Sequence, residues 1–307
     1  MPTSARQLPP LVDDMDLDSL RAAVDRTLPV YERAGRAGTA AAAQQLVDWL
    51  AATRDPDERR RVVGASFRVM RVRDPLLLTS YYEPEIAVSE TPGGIYRFPI
   101  YRRPPDLTNP YASRVEIESG ALDGRGLELA WTDDPLELFS LHVQGSGRAR
   151  FPDGHVAGLR FAGTNGRPYK SLAQELIRRG LLPKDEASMF AVRRLFAGLS
   201  HTEQRALMAE NPRYVFFTMT DASRGPTGSL GVELTPGRSV ATDVDVIPAG
   251  AIGYLVTPTI RRFVVAQDTG AAIRGAHADL FAGSGLEAEQ FAGRQKERGT
   301  FYVLVPL

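Results

Sequence analysis

Three aspartates in the last quarter of the chain, Asp243, Asp268 and Asp279, have the surroundings that acid–base chemistry needs. Phe263-Val264-Val265-Ala266-Gln267-Asp268-Thr269-Gly270 runs an apolar strand into an acid followed by a turn. Asp279 sits among apolar neighbours in His277-Ala278-Asp279-Leu280-Phe281, and Asp243 follows Arg238-Ser239-Val240-Ala241-Thr242. A carboxyl among apolar groups loses hydration, which raises its pKa from about 3.9. A raised pKa suits a general acid, which must hold its proton near neutral pH. Spacing alone favours a structural use, in which each aspartate caps a turn or pairs with an arginine such as Arg274.

Other chemistries fit less well. The 307 residues include no cysteine, which excludes disulfides, thiol catalysis and thiolate metal sites. His142, His155, His201 and His277 are scattered without ligand spacing and read as surface or structural groups, so no metal is expected. Gly145-Ser146-Gly147 is not a nucleophile elbow, and the stretch Gly225–Gly231 lacks the Lys-Ser/Thr ending of a phosphate loop, so no cofactor is expected. Thirty-seven basic residues balance 37 acidic ones. A chain with no global field is poorly suited to nucleic acid and better suited to a neutral carbohydrate or a peptide.

The elements that must carry these residues fall into blocks. Residues 1 to about 74 read as helices: Asp16 caps one that ends near Pro29, Thr39 precedes an alanine-rich second, and Asp55-Pro56 opens a third. These look like packing elements. Strand patterns follow at Leu77–Tyr82, Gly94–Tyr101, Leu136–Val143, Ala157–Ala162 and Tyr214–Met219, with Pro152-Asp153-Gly154 as a hairpin turn. A helical block spans roughly residues 171 to 211; its first helix stops at Gly180, and Ser200-His201-Thr202-Glu203 is a capping-box pattern. Strands return at Val240–Asp243, Ile252–Thr257, Arg262–Gln267 and Phe301–Val305. Such segregation predicts an α+β fold, mainly β.

Asp268-Thr269-Gly270-Ala271 matches the active-site tetrapeptide of aspartic peptidases. Those enzymes need two aspartates sharing one proton, so a single Asp-Thr-Gly would require a dimer. A longer series of segments resembles the membrane-bound lytic murein transglycosylase A family (MltA). It comprises Leu78-Thr79-Ser80-Tyr81-Tyr82-Glu83-Pro84, Asp134-Pro135, Val143-Gln144-Gly145-Ser146-Gly147-Arg148, Asn165-Gly166-Arg167-Pro168-Tyr169 and Asn211-Pro212-Arg213-Tyr214. It continues through Leu234-Thr235-Pro236-Gly237-Arg238-Ser239 to the segment from Ala266 to Gly275 and to Asp279-Leu280-Phe281. Where the family usually has glycine, this chain has Ser80 and Ala271; both are small, and slight backbone adjustment is expected.

The resemblance implies a double-psi β-barrel built from both ends of the match, with a second β-rich domain inserted, a groove between them and N-terminal helices outside the match. The expected division is residues 1–82 for the helices and first barrel strand, 83–222 for the insert, and 223–307 for the three-aspartate part of the barrel. It also implies cleavage of the β-1,4 bond between N-acetylmuramic acid and N-acetylglucosamine of peptidoglycan. The muramic 6-hydroxyl attacks its own anomeric carbon, leaving a 1,6-anhydro end. An internal nucleophile lets one carboxyl serve as acid and then base, where ordinary glycosidases use two. By position that carboxyl is Asp279, with Asp243 and Asp268 in support and Thr79, Tyr82, Gln144 and Ser146 toward the glycan. Tyr82 as a core residue and Gln144–Gly147 as a plain turn stay open beside this.

Expected partners are peptidoglycan strands, with other cell-wall enzymes as candidates and no nucleic acid. The start Met1-Pro2-Thr3-Ser4-Ala5-Arg6 lacks a secretory layout, and no apolar run approaches a membrane span. The implied substrate nevertheless leads to an expectation of the periplasm. Members of the family are commonly outer-membrane lipoproteins, but such an anchor needs a cysteine, so either one was trimmed away with a signal or this member is soluble. A non-catalytic barrel that holds wall polysaccharide without cutting it is the third reading.

Overall fold

The structure, a computed structural model, describes residues 2–3, 7–72, 75–183, 189–223 and 225–307. Most of the segment Met1-Pro2-Thr3-Ser4-Ala5-Arg6, the end of the first helical region (73–74) and the middle of the later helical block (184–188) lie outside the described residues.

A short strand β1 (Pro2–Thr3) precedes α1 (Leu17–Arg33), α2 (Ala37–Ala52) and α3 (Pro56–Ser66). Asp16 and Asp55 cap α1 and α3 as expected, accepting from Ser19 N and Asp57 N. Two expectations fail. Helix α1 runs through Pro29 to Arg33, because Pro29 lies on the exposed face, where the carbonyl deprived of its N–H partner can meet water. Helix α2 starts at Ala37, ahead of Thr39 and without a side-chain cap. Helical structure also stops at Phe67, where β2 (Phe67–Arg71) alternates buried Phe67 and Val69 with exposed Arg68.

Strands β3 (Leu76–Glu83), β4 (Glu85–Ser89), β5 (Phe98–Tyr101) and β6 (Glu128–Thr132) follow, with a one-turn helix α4 (Arg114–Glu116) before the last. The expected strand at Leu136–Val143 is instead helix α5 (Pro135–Gln144). Asp134 caps it through Leu136 N and Glu137 N, Pro135 takes its first turn, and Gly145 ends it at φ +79°. Strands β7 (Gly147–Arg150) and β8 (Val156–Thr164) form the hairpin around Pro152-Asp153-Gly154. Helices α6 (Leu172–Arg178), α7 (Met189–Phe196) and α8 (His201–Met208) make the helical block; Gly180 has φ +70° and the Ser200–Glu203 capping box is present. Strand β9 (Val215–Asp221) leads to β10 (Ser239–Thr242), β11 (Ile252–Val256), β12 (Arg261–Asp268) and β13 (His277–Ser284), then α9 (Gly285–Arg294) and β14 (Lys296–Pro306).

The chain folds as two compact units. The first holds Met1–Tyr81, Thr227–Gly283 and Gln295–Leu307. Its strands close into a six-stranded barrel in the order β14-β11-β12-β10-β13-β3, with β3 pairing back onto β14. Strand β14 closes the ring because its eleven residues serve two partners: Lys296–Gly299 pair with β3 and Tyr302–Pro306 with β2. Leu76, Leu78, Val240, Leu255, Val264, Leu280 and Phe301 fill the interior. Phe301 lies so close over Gly253 that any Cβ there would clash with its ring. Outside, α1 and α2 bury Leu20, Val24, Leu46 and Leu50 against Tyr254, Phe263, Val265 and Leu304. A buried ion pair joins the segment before α1 to the barrel: Arg238 meets both oxygens of Asp13 at 2.8 Å and also donates to Phe263 O and Asp16 O.

The second unit, Tyr82–Pro226 with Ser284–Arg294, carries a six-stranded sheet in the order β5-β6-β4-β7-β8-β9. Leu136 and Phe139 of α5 pack against Leu172, Leu176, Val192, Phe196 and Leu207 of the helical block. Asn165, fully buried, donates to Ala112 O and Pro212 O and accepts from Tyr214 N, tying three loops together.

Strand β3 turns Leu76 and Leu78 inward, and by alternation Ser80 as well. Its hydroxyl is buried without a hydrogen-bond partner among the described residues. An unpaired buried hydroxyl costs about 1–3 kcal/mol. Ser80→Ala is therefore expected to raise the urea midpoint, by roughly 1 kcal/mol of stability at unchanged slope. A lowered midpoint would mean that the hydroxyl has found a partner.

Candidate active site

One short strand brings two of the aspartates together. All four residues of β10 are buried, between β12 running parallel and β13 running antiparallel. Ala241 is the register partner of Asp268 on one side and of Asp279 on the other. Two strand spacings separate the aspartates by about 10 Å between Cα atoms, with Ala241 between them in register.

The register on β12 contains a slip that matters. Val240 pairs with Ala266 but Ala241 pairs with Asp268, so Gln267 is an extra residue. Without that bulge, alternation would turn Asp268 to the opposite face from Asp279. Gln267 is buried and pinned. Its Nε2 donates to Ala23 O and Thr27 Oγ1 of α1 at 2.8 Å each, and Ser239 Oγ donates to its Oε1. The helices without chemistry of their own thus hold the residue that aims Asp268.

Asp279 lies partly buried on β13. Thr79 Oγ1, from the adjacent strand β3, donates to its Oδ1 at 2.5 Å. Its Oδ2 has no hydrogen-bond partner among the described residues. Burial pushes its pKa up, to about 6; the Thr79 bond acts the other way, and the negative charge of Asp268 adds to the rise. Asp268 is saturated with donors. Its Oδ1 accepts from Ser229 N and Thr269 N, and its Oδ2 from Tyr81 OH, all at 2.8 Å. Burial, reinforced by Asp268 and Asp279, raises the Tyr81 pKa far above its usual value, so that hydroxyl stays protonated. The Tyr81 ring rests on Phe281, with centroids 5.4 Å apart.

Asp243 does something else. Its Oδ2 accepts from Gly275 N at 2.7 Å and its Oδ1 from Asp245 N at 3.2 Å. These backbone bonds hold its carboxyl below the usual range, with Arg274 as a weaker attraction. The geometry is that of a clamp between the loop after β10 and the loop before β13.

Two residues at this site were not singled out for it by the sequence. His277 Nε2 lies 2.8 Å from Thr79 Oγ1, and burial lowers the ring's pKa, so it is neutral near pH 7. Tyr81 is the other. The available signal was period-two alternation: Thr79 and Tyr81 share a face of β3, and His277 and Asp279 share a face of β13.

Tyr82, Gln144 and Ser146 belong to the second unit. Gln144 ends α5, and its Oε1 accepts from Tyr82 N at 3.3 Å. The Tyr82 side chain is only 5% exposed, and its hydroxyl donates to Glu289 Oε1 at 3.1 Å. Ser146 is half-buried just before β7. Phe161, unremarked in the sequence, stands 53% exposed with its ring against Gly145. Among the described residues no group of three or more His, Asp or Glu is gathered as a metal site.

These features define a class: a closed β-barrel with one desolvated carboxyl on its wall and a separate β-rich unit spliced between its strands. The family model described as "MltA specific insert domain" matches residues 77–218, and that described as "3D domain" matches residues 238–305. The chain belongs to the membrane-bound lytic murein transglycosylase A family. It is 31% identical over 275 residues to the Vibrio cholerae protein of that name, covering 85% of this chain and 74% of that one. The Escherichia coli K12 protein is 36% identical over 239 residues, covering 74% of this chain and 64% of that protein's length. Among solved structures, E. coli MltA with bound chitohexaose superposes with a TM-score of 0.86 at 30% identity, covering 100% of this chain and 95% of that one. A membrane-bound lytic murein transglycosylase from Agrobacterium tumefaciens gives 0.84 at 29% identity, covering 99% and 97%.

A carboxyl whose folded pKa is raised binds more protons folded than unfolded, so stability falls as pH rises from about 4 to about 6. Asp279→Asn removes that penalty while keeping an acceptor for Thr79. The variant is expected to be more stable than the parent above pH 6, on the order of 1–2 kcal/mol, with the difference vanishing below pH 4. Urea unfolding at both pH values measures it. A variant less stable at pH 7 would mean that the carboxylate is not strained by burial.

Proposed function

We propose that this protein is a peptidoglycan lytic transglycosylase in which Asp279 is the single acid and then base. The observation that carries the reading is Asp279 itself: a desolvated carboxyl, one oxygen held by Thr79 and the other unengaged, beside a second negative charge. The protonated Oδ2 gives its proton to the oxygen leaving the muramic anomeric carbon as that C–O bond breaks, freeing the 4-hydroxyl of N-acetylglucosamine. The resulting carboxylate takes the proton of the muramic 6-hydroxyl as that oxygen bonds to the same carbon. The acid is regenerated and no water is consumed.

Asp268 acts through its charge, which favours the protonated form of Asp279, and Asp243 through the loops it joins. Thr79 serves the carboxyl rather than the glycan. Gln144 and Ser146 keep surface for glycan hydroxyls and amides, while Tyr82, nearly buried, supports Gln144 through its backbone N–H. The reading assigns residues 83–222 to the insert and residues 1–82 with 223–307 to the helices and barrel, apart from Ser284–Arg294, which folds with the second unit. Relatives carrying the transglycosylase name and the E. coli protein's bound chitohexaose support a β-1,4-linked amino-sugar strand as ligand. Such a substrate puts the protein in the periplasm, associated with the outer membrane and with other wall enzymes as partners. Among the described residues no helix is long and apolar enough to cross a membrane. The aspartic-peptidase reading is disfavoured because Asp268 has both oxygens occupied by Ser229, Thr269 and Tyr81.

Digestion of purified murein followed by mass spectrometry tests the proposal. Anhydro-ended muropeptides are expected, with Asp279→Asn slower by roughly 10²–10⁴-fold. Reducing ends would make the enzyme a hydrolase, and binding without product from either form would make it a carbohydrate-holding barrel. Because the free enzyme must carry the proton, kcat/KM is expected to fall as pH rises through about 6. A profile flat from pH 5 to 8 would remove Asp279 as the acid.

A further inference from the structure

We propose that His277 is a positioning residue for Asp279, acting through Thr79: its Nε2–H donates to the Thr79 hydroxyl, commits that hydroxyl's one proton to Asp279 Oδ1, and so leaves the carboxyl's own proton on Oδ2. The proposal rests on the transglycosylase reading, in which Oδ2 faces the leaving oxygen.

A threonine hydroxyl has one proton and two lone pairs. Here it lies 2.8 Å from His277 Nε2 and 2.5 Å from Asp279 Oδ1, so only two arrangements satisfy both contacts. If Nε2 lacked a proton, the Thr79 hydroxyl would donate to the ring, and the short contact to Asp279 would need a proton on Oδ1. That proton would point into the protein, away from a glycosidic oxygen. If Nε2 carries the proton, the chain runs His277 to Thr79 to Asp279 and the proton of the acid is left on the outer oxygen.

The tautomer follows from the surroundings. Nδ1 has no hydrogen-bond partner among the described residues, so none of them draws the proton there, whereas Thr79 offers Nε2 an acceptor. The ring does this work while neutral, because burial lowers its pKa. A cation at the same place would favour the ionised form of Asp279 and empty the acid of its proton.

The other titratable and charged groups around the trio come from five places. Asp268 (β12) and Tyr81 (β3) hydrogen-bond each other, and Asp243, beyond β10, faces Arg274 and Gly275. On β14, Lys296, Glu297 and Arg298 pair in register with Thr79, Leu78 and Leu77. Among the described residues none of these groups hydrogen-bonds to His277 or Thr79.

The test compares His277→Gln, which keeps an N–H near the position of Nε2, with His277→Phe, which removes it, each also in a Thr79→Val background. One readout is the ¹³C NMR titration of the Asp279 carboxyl in the ligand-free protein; the other is kcat for anhydro-muropeptide release against pH. Losing the donor frees Thr79 to accept from Oδ1. His277→Phe is therefore expected to raise the Asp279 pKa and its alkaline limb while lowering kcat by roughly tenfold. His277→Gln restores both, and in the Thr79→Val background the two variants no longer differ.

The proposal is overturned if Gln fares no better than Phe, or if the Phe effect persists undiminished without the Thr79 hydroxyl, as a purely structural or apolar effect would. Where His277→Phe does not fold, His277→Leu, which equally lacks the N–H, takes its place against His277→Gln. A titration that behaves as expected in a protein releasing no anhydro product would leave the hydrogen-bond chain standing and remove the transglycosylase reading instead.

Discussion

The site depends on an imbalance between two carboxyls that flank one alanine. Asp268 collects three hydrogen-bond donors; Asp279 has one, and is otherwise desolvated. Burial and the charge of its neighbour both favour the neutral form of Asp279. Pairs of acids whose surroundings are made unlike are how a protein separates a proton donor from a fixed charge. Most of the first unit can be understood as maintaining that difference: Tyr81 keeps its hydroxyl on Asp268, and Thr79 keeps its hydroxyl on Asp279. The two residues stand two apart on one strand, so a single strand face serves both acids.

The imbalance needs the aspartates on the same face, and a regular sheet would not supply it. The bulge at Gln267 does, and it is stable because the amide it turns outward finds Ala23 O, Thr27 Oγ1 and Ser239 Oγ in a buried setting. A buried amide left unpaired would cost about 1–3 kcal/mol, so helix and bulge specify each other. The arginine pair of Asp13 and Arg238 works at the start of the same region, fixing the chain just before β10. Helices that read from sequence as packing alone therefore reach the site through two buried polar contacts.

The caps at Asp16, Asp55 and Ser200 were legible because capping is local chemistry. The same grammar was present in Asp134-Pro135 and Gly145, yet Leu136–Val143 reads as a strand, since Leu136, Leu138, Phe139, Ser140, Leu141 and His142 are all buried. A run buried on nearly every side shows no amphipathic period to decide helix from strand. Strand β13 was legible as chemistry but not as a strand, because Ala278, Ala282 and Gly283 dilute the β-branched pattern. Asp279 could be singled out as an acid among apolar residues. Its contacts could not, because Thr79 lies 200 residues away in sequence, and His277 meets Thr79 across 198. Several motifs that carried the family resemblance turn out to hold structure: Asn165 ties loops, and Glu83 is buried against Arg160 and Ser284.

The identity of residue 79 makes sense on these terms. Its hydroxyl must sit between an imidazole and a carboxyl in one orientation, and a β-branched side chain on a strand has little rotameric freedom to lose. Serine would offer the same oxygen with more ways to turn it elsewhere. Thr79 is also register-paired with Lys296 of β14, at the half of that strand that closes the barrel. The closure of the barrel and the orientation of the acid's hydrogen-bond partner are thus settled by the same few residues, so loosening the ring at Lys296–Gly299 would disturb Thr79 and, through it, Asp279.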